Sequence, residues 1–123
     1  MHRVVAFLTT REPEKAIAFY RDTLGFRFVR DDTFALVFDL GNATLRINKA
    51  QQHTPLQRTE LGWEVADIEA AVEEFKGRGV TFSQFPNVAQ DERGIATFSN
   101  GSRVAWFADP DGNVLSLSQV PQG

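Results

Sequence analysis

The chain is written twice. Pro13, Ala16, Ile17 and Tyr20 recur 55 positions later as Ile68, Ala71, Val72 and Phe75. Each set follows an acidic residue, Glu12 or Asp67. Each leads through a glycine into an aromatic-bearing segment, Gly25-Phe26-Arg27-Phe28 and Gly79-Val80-Thr81-Phe82. The three- and four-residue steps put each set on one face of a helix. In a chain of 123 residues neither copy is long enough for a full core of its own, so the two are halves of one domain. Two copies of one small unit usually enclose something between them. Equivalent positions in the two copies can then be compared.

The pattern within each copy is β-α-β-β-β. Val4 to Thr9 alternates as a strand. Glu12 is placed to cap the first helix, and Pro13 suits its first position, where a missing N–H costs nothing. That helix runs to about Thr23, and Gly25 closes it in the left-handed conformation. Strands are expected at 26–31, 33–40 and 43–48, turning at Asp31-Asp32 and Gly41-Asn42. The polar stretch 49–58 connects the copies. The second copy begins with a strand at 60–66, Asp67 caps helix two, and a short strand covers 80–83. Ser83 to Arg93 is a loop with no counterpart in copy one, the kind of excursion that forms a lid, a partner contact or an inert surface loop. Asn100-Gly101 predicts a type I′ hairpin turn, and Asp109-Pro110-Asp111-Gly112-Asn113 a second tight turn before a last strand at 114–118. The fold class is α+β. The domain reading is a single domain, with repeat one at 1–48, a connector at 49–58 and repeat two at 59–119.

Composition removes several function classes. The net charge of −3, with no basic stripe, argues against nucleic acid. No apolar run approaches the roughly 18 residues of a membrane span. The absence of cysteine excludes disulfides, thiolate metal sites and a cysteine nucleophile. Glu12 and Glu14 arrive too early for a signal peptide. The expected location is the cytoplasm.

Ala16-Ile17-Ala18-Phe19-Tyr20-Arg21-Asp22-Thr23-Leu24-Gly25-Phe26 resembles the first-helix signature of the vicinal oxygen chelate superfamily, the glyoxalase, bleomycin-resistance and extradiol-dioxygenase group. Phe107-Ala108-Asp109-Pro110-Asp111-Gly112-Asn113 resembles its last-hairpin signature. The resemblance implies two βαβββ units whose sheets form a curved cup with helices on the convex side. It also implies a homodimer, with the cup formed within one chain or by swapping. Tyr20, Leu24 and Phe75 are then core.

Metal-dependent members of that family place four ligands on the concave faces, one on the first and one on the last strand of each unit. By alignment of the copies these positions are Val5, Arg46, Glu60 and Ser116. Only Glu60 is a competent donor. Arg46 has no lone pair to give and carries a fixed positive charge. His2 lies near the chain start and His53 in the connector; both read as solvated surface residues. The expectation is no metal and no cofactor.

Arg46 and Glu60 admit three readings. They pair with each other, or they are solvated in a wet pocket, or Arg46 binds an anionic or carbonyl-bearing ligand while Glu60 orients it or acts as a base. Phe7 and Thr9 share a face with Val5, as Thr44 and Asn48 do with Arg46, Gly62 and Glu64 with Glu60, and Val114 and Ser118 with Ser116. Trp63 falls on the opposite face from Glu60, under helix two. Trp106 and Phe107 point to opposite sides of their strand, and one of them faces the cup. The candidate ligand-binding residues are Val5, Phe7, Arg46, Asn48, Glu60 and Ser116, and Glu60 is the sole candidate for catalysis.

The leading expectation is a metal-independent protein that binds a small organic molecule, similar to the bleomycin-resistance branch. One alternative is a lyase, isomerase or dioxygenase-like enzyme using Glu60 as acid or base. Another is a non-catalytic dimeric module whose cup is filled by its own side chains.

Overall fold

A computed structural model describes residues 2–121, so Met1, the first residue of repeat one, lies outside the described residues. The chain divides into two compact units. The first comprises the residues up to Leu56 together with Asp109–Asn113; the second comprises Gln57–Ala108 and the strand from Val114 onward. The first unit therefore includes the connector up to Leu56 and the Asp109–Asn113 turn.

In the first unit β1 (Val4–Thr10) is followed by helix α1 (Pro13–Ile17), which continues as a π-helical stretch over Ala18–Thr23. Strands β2 (Arg27–Asp31), β3 (Ala35–Asp39) and β4 (Ala43–Lys49) complete a sheet of order β1-β4-β3-β2. β1 runs parallel to β4, and the other pairs are antiparallel. One sheet face carries Leu8, Leu36, Phe38, Leu45 and Ile47, all buried together with Ala16, Tyr20 and Leu24. The Tyr20 and Phe38 rings lie 5.8 Å apart, which shows the helix resting on that face.

Gly25 takes a φ of 78°, the left-handed closure that its position requires. Glu12 holds the N-cap position, but its side chain caps nothing. It is drawn to Lys15 at 3.1 Å, while Thr10 Oγ1 accepts from the Glu12 amide.

In the second unit β5 (Thr59–Glu64), β6 (Ala96–Thr97), β7 (Arg103–Ala108) and β8 (Val114–Gln119) form a sheet of order β5-β8-β7-β6, and helix α2 (Ile68–Gly77) follows β5 in the chain. Asp67 caps α2 by accepting from the Ala70 amide at 3.1 Å. Ile68, Val72, Phe82, Ala105, Phe107, Leu115 and Leu117 form the core. The expected strand at 80–83 shrinks to one bridge, Phe82 to Phe107. The Asn100-Gly101 turn is not type I′, since only Gly101 takes a positive φ and I′ needs two. The Phe98 carbonyl accepts from the Gly101 amide and the Phe98 amide donates to the Ser102 carbonyl, the pattern of a three-residue loop closed by a left-handed glycine. Among the described residues no helix is long and apolar enough to cross a membrane.

Candidate functional site

Each sheet has a face turned away from its helix, and the strand register says which residues share it. In the first unit Val5 lies opposite Thr44, Phe7 opposite Arg46 and Thr9 opposite Asn48. Val37 lies opposite Arg46, and Ala35 opposite Asn48. Val5, Phe7, Arg46 and Asn48 are thus neighbours on one face. Phe7 is 58% exposed and Val5 43% exposed, unusual values for strand residues of this size.

Arg46 is committed locally. Its Nη2 lies 3.3 Å from Asp32 Oδ2. Asp32 sits in the β2–β3 turn, where its Oδ1 accepts from the amides of Phe34 and Ala35 and leaves Oδ2 free for the guanidinium. The turn delivers this carboxylate to Arg46 from within its own unit. The Phe34 and Ala35 amides, and then Arg46, hold the Asp32 carboxyl below its ordinary range.

A carboxyl whose folded pKa is depressed contributes stability above its unfolded value of about 3.9, and that contribution fades as pH falls through the folded value. An Asp32→Asn variant keeps an acceptor for the two amides but loses the charge. Its stability deficit in urea titrations should be full at about pH 5 and shrink below about pH 4. A deficit that stays constant down to about pH 2 would assign it to the turn alone.

In the second unit Gly62 lies opposite Ser116 and Ser116 opposite Trp106, a row across three strands. Trp106 is therefore on the outward face, while Phe107 is 1% exposed in the core. Trp63 lies opposite Leu117 and stacks on Phe107 at 6.5 Å, on the helix side. A Cβ on Gly62 would stand 2.5 Å from Ser116 Oγ, so the Ser116 hydroxyl already occupies the space a side chain at Gly62 would need. A β-bulge between Thr59 and Leu61 takes Glu60 out of the ladder that its counterpart Val5 keeps. Across the bulge alternation no longer fixes the side of Glu60. Its Oε2 is buried and finds no hydrogen-bond partner.

Sequence reading missed Phe85 and Phe98. Phe85 meets Trp106 edge-to-face at 5.6 Å, and Phe98 does so at 6.5 Å. Phe85 belongs to the loop that has no counterpart in copy one, and that loop is tied down. Gln90 accepts from the Phe85 amide and donates to the carbonyls of Ser83 and Gly94. Asp91 Oδ1 accepts from the amides of Arg93 and Ile95. The available signal was an aromatic residue beside Pro86 in a mostly polar excursion.

His53 is not a solvated surface residue. It is half-buried and bonds Asn113 Oδ1 at 2.7 Å. An open recess of about 480 Å3, lined by Glu12, Pro13, Glu14, Lys15 and Asp31, contains none of the candidate residues.

The four positions that would hold a metal do not fit one. Val5 offers no donor, Arg46 is a cation facing Asp32, and Ser116 offers only a neutral hydroxyl. Among the described residues, no cluster of three or more His, Cys, Asp or Glu side chains is placed to hold an ion.

Residues 1–117 match the Glyoxalase family, described as the Glyoxalase/Bleomycin resistance protein/Dioxygenase superfamily. No curated protein sequence matches the chain. Among solved structures it is similar to a member of that superfamily from Sphaerobacter thermophilus, with 25% identity, a TM-score of 0.73 and 97% of each chain covered. A second, from Alicyclobacillus acidocaldarius, shares 16% identity with a TM-score of 0.73, over 98% of this chain and 92% of that one. A third is TnmS3, an antibiotic binding protein from Streptomyces, with 24% identity, a TM-score of 0.69, and coverage of 98% and 97%. At these identities the likeness speaks for the fold.

Proposed function

Since the chain belongs to the Glyoxalase/Bleomycin resistance protein/Dioxygenase superfamily, we propose that it binds a small organic molecule without a metal ion. The observation that carries this reading is Arg46. It occupies one of the four metal-ligand positions as a cation held against Asp32. A guanidinium has no lone pair to give a metal, so that position offers no ligand. The outward strand faces supply what an organic ligand needs instead. In the first unit that face carries exposed apolar surface at Val5 and Phe7 with the polar Asn48, and in the second unit it carries the Trp106 cluster with Ser116. The likeness to an antibiotic binding protein is in keeping with this use of the scaffold.

A thermal-shift screen of metabolites and antibiotics, run with a chelator and again with divalent metals, tests the proposal. The expected result is a ligand that raises the melting temperature equally in both conditions. Stabilisation that appears only with metal would defeat it. The proposal extends to a cytoplasmic homodimer, and a monomer in sedimentation would contradict the oligomeric part.

A further inference from the structure

The Asp109-Pro110-Asp111-Gly112-Asn113 turn joins β7 to β8 in the chain, yet it belongs to the first unit. Three of its side chains fasten it there. Asp109 Oδ2 accepts from Tyr20 Oη of the π-helical stretch at 2.7 Å. The Asp111 carboxylate accepts from Thr10 Oγ1 and from the Arg11 amide, at the end of β1. Asn113, fully buried, donates from Nδ2 to the Thr9 carbonyl and to Asp109 Oδ2, both at 2.9 Å. The connector supplies further contacts to the same turn. It leaves β4 with the Ala50 amide donating to the Thr10 carbonyl, and then brings His53 Nε2 to within 2.7 Å of Asn113 Oδ1. Two residues on, Pro55 lies against Gly112, where an added Cβ would stand 3.1 Å from Pro55 Cγ. Gly112 also takes a φ of 86°, which a side chain would strain. No residue from Ala50 to Leu56 is fully buried, so little apolar area holds this segment down.

The tautomer of His53 follows from Asn113. Both Nδ2 hydrogens of Asn113 are spent on oxygens. The reverse placement of its amide would set an oxygen against the Thr9 carbonyl and the Asp109 carboxylate, acceptors with no hydrogen between them. Oδ1 therefore faces His53 and needs a donor, so Nε2 carries the hydrogen. Without that donor a fully buried side chain is left with an unpaired acceptor.

We infer that the connector is a strap on the Asp109–Asn113 turn, and that His53 in its Nε2–H form is the latch. Releasing the latch makes this turn open locally and leaves the sheet of the first unit intact. His53 is a positioning residue, which acts on the turn through Asn113. The strap is independent of any ligand.

Two NMR measurements on the full chain test this. In the unaltered protein, two-bond proton–nitrogen correlations of the imidazoles read the tautomer, with the exposed His2 as internal reference. The expected result is the Nε2–H form for His53, with a ring proton that exchanges more slowly than that of His2. The Nδ1–H form, or exchange as fast as at His2, overturns the inference. The second measurement is amide hydrogen exchange. The amides of Asp109, Asp111, Gly112 and Asn113 all donate within the turn. His53→Ala should speed their exchange by about fivefold or more, while the amides of the β3–β4 ladder keep their rates. His53→Gln keeps a donor at the same reach and should restore most of the protection. No change in His53→Ala, no rescue by His53→Gln, or equal speeding across the whole first unit would overturn the latch.

Discussion

Replacing Asp109 by Ala is expected to lower the unfolding free energy by about 3–5 kcal/mol, measured by urea denaturation. Asp109 is 6% exposed, and hydrogen bonds hold its carboxylate. Its Oδ2 accepts from Tyr20 Oη at 2.7 Å and from Asn113 Nδ2 at 2.9 Å. Its Oδ1 accepts from the amides of Asp111 and Asn113. Removing it leaves a buried phenol, a buried carboxamide and two turn amides short of an acceptor, and the last-hairpin turn loses its internal brace. Tyr20→Phe removes one donor only and should cost about 1–2 kcal/mol. The double variant should cost less than the sum of the two, because both single changes break the same bond. Full additivity would mean that the Tyr20–Asp109 bond contributes nothing.

The second large effect separates two adjacent residues. Phe107→Ala should destabilise by about 3–5 kcal/mol, since its ring is buried against Trp63, Phe75 and Phe82. Trp106→Ala, one residue away on the outward face, should cost less than half of that and reduce affinity for an aromatic ligand at least tenfold. The pair of measurements is a melting curve and a titration on each variant. If Phe107→Ala weakened binding without unfolding the protein while Trp106→Ala did the reverse, the assignment of faces would be inverted.

How far the sequence could reach is visible at these positions. The repeat of Ala16-Ile17-Tyr20 as Ala71-Val72-Phe75 made the helices and the doubled unit legible, because helical spacing is a local property. Trp106 and Phe107 could not be told apart by pattern, since both are large and apolar. Only the register of β7 against β8, with Trp106 opposite Ser116, settles their sides. The pairing of Arg46 was hidden for a related reason. Asp32 is remote from Arg46 in sequence and arrives through the β2–β3 turn. The bulge at Glu60 also escaped, because counting 55 positions from Val5 assumes an unbroken ladder. The short edge of the second sheet was overread at 80–83. There the chain makes one bridge and leaves, and Gln90 bonds the loop backbone that a longer strand would have paired.

Metal-free ligand binding is the central proposal for this protein. The direct measurement is elemental analysis of untagged protein, incubated with zinc, nickel, manganese and ferrous iron and then freed of unbound ions. It is paired with a titration of the same sample with a ligand from the screen. The prediction is trace metal only and unchanged ligand affinity after chelation. One retained ion per chain, with affinity lost on its removal, would contradict it.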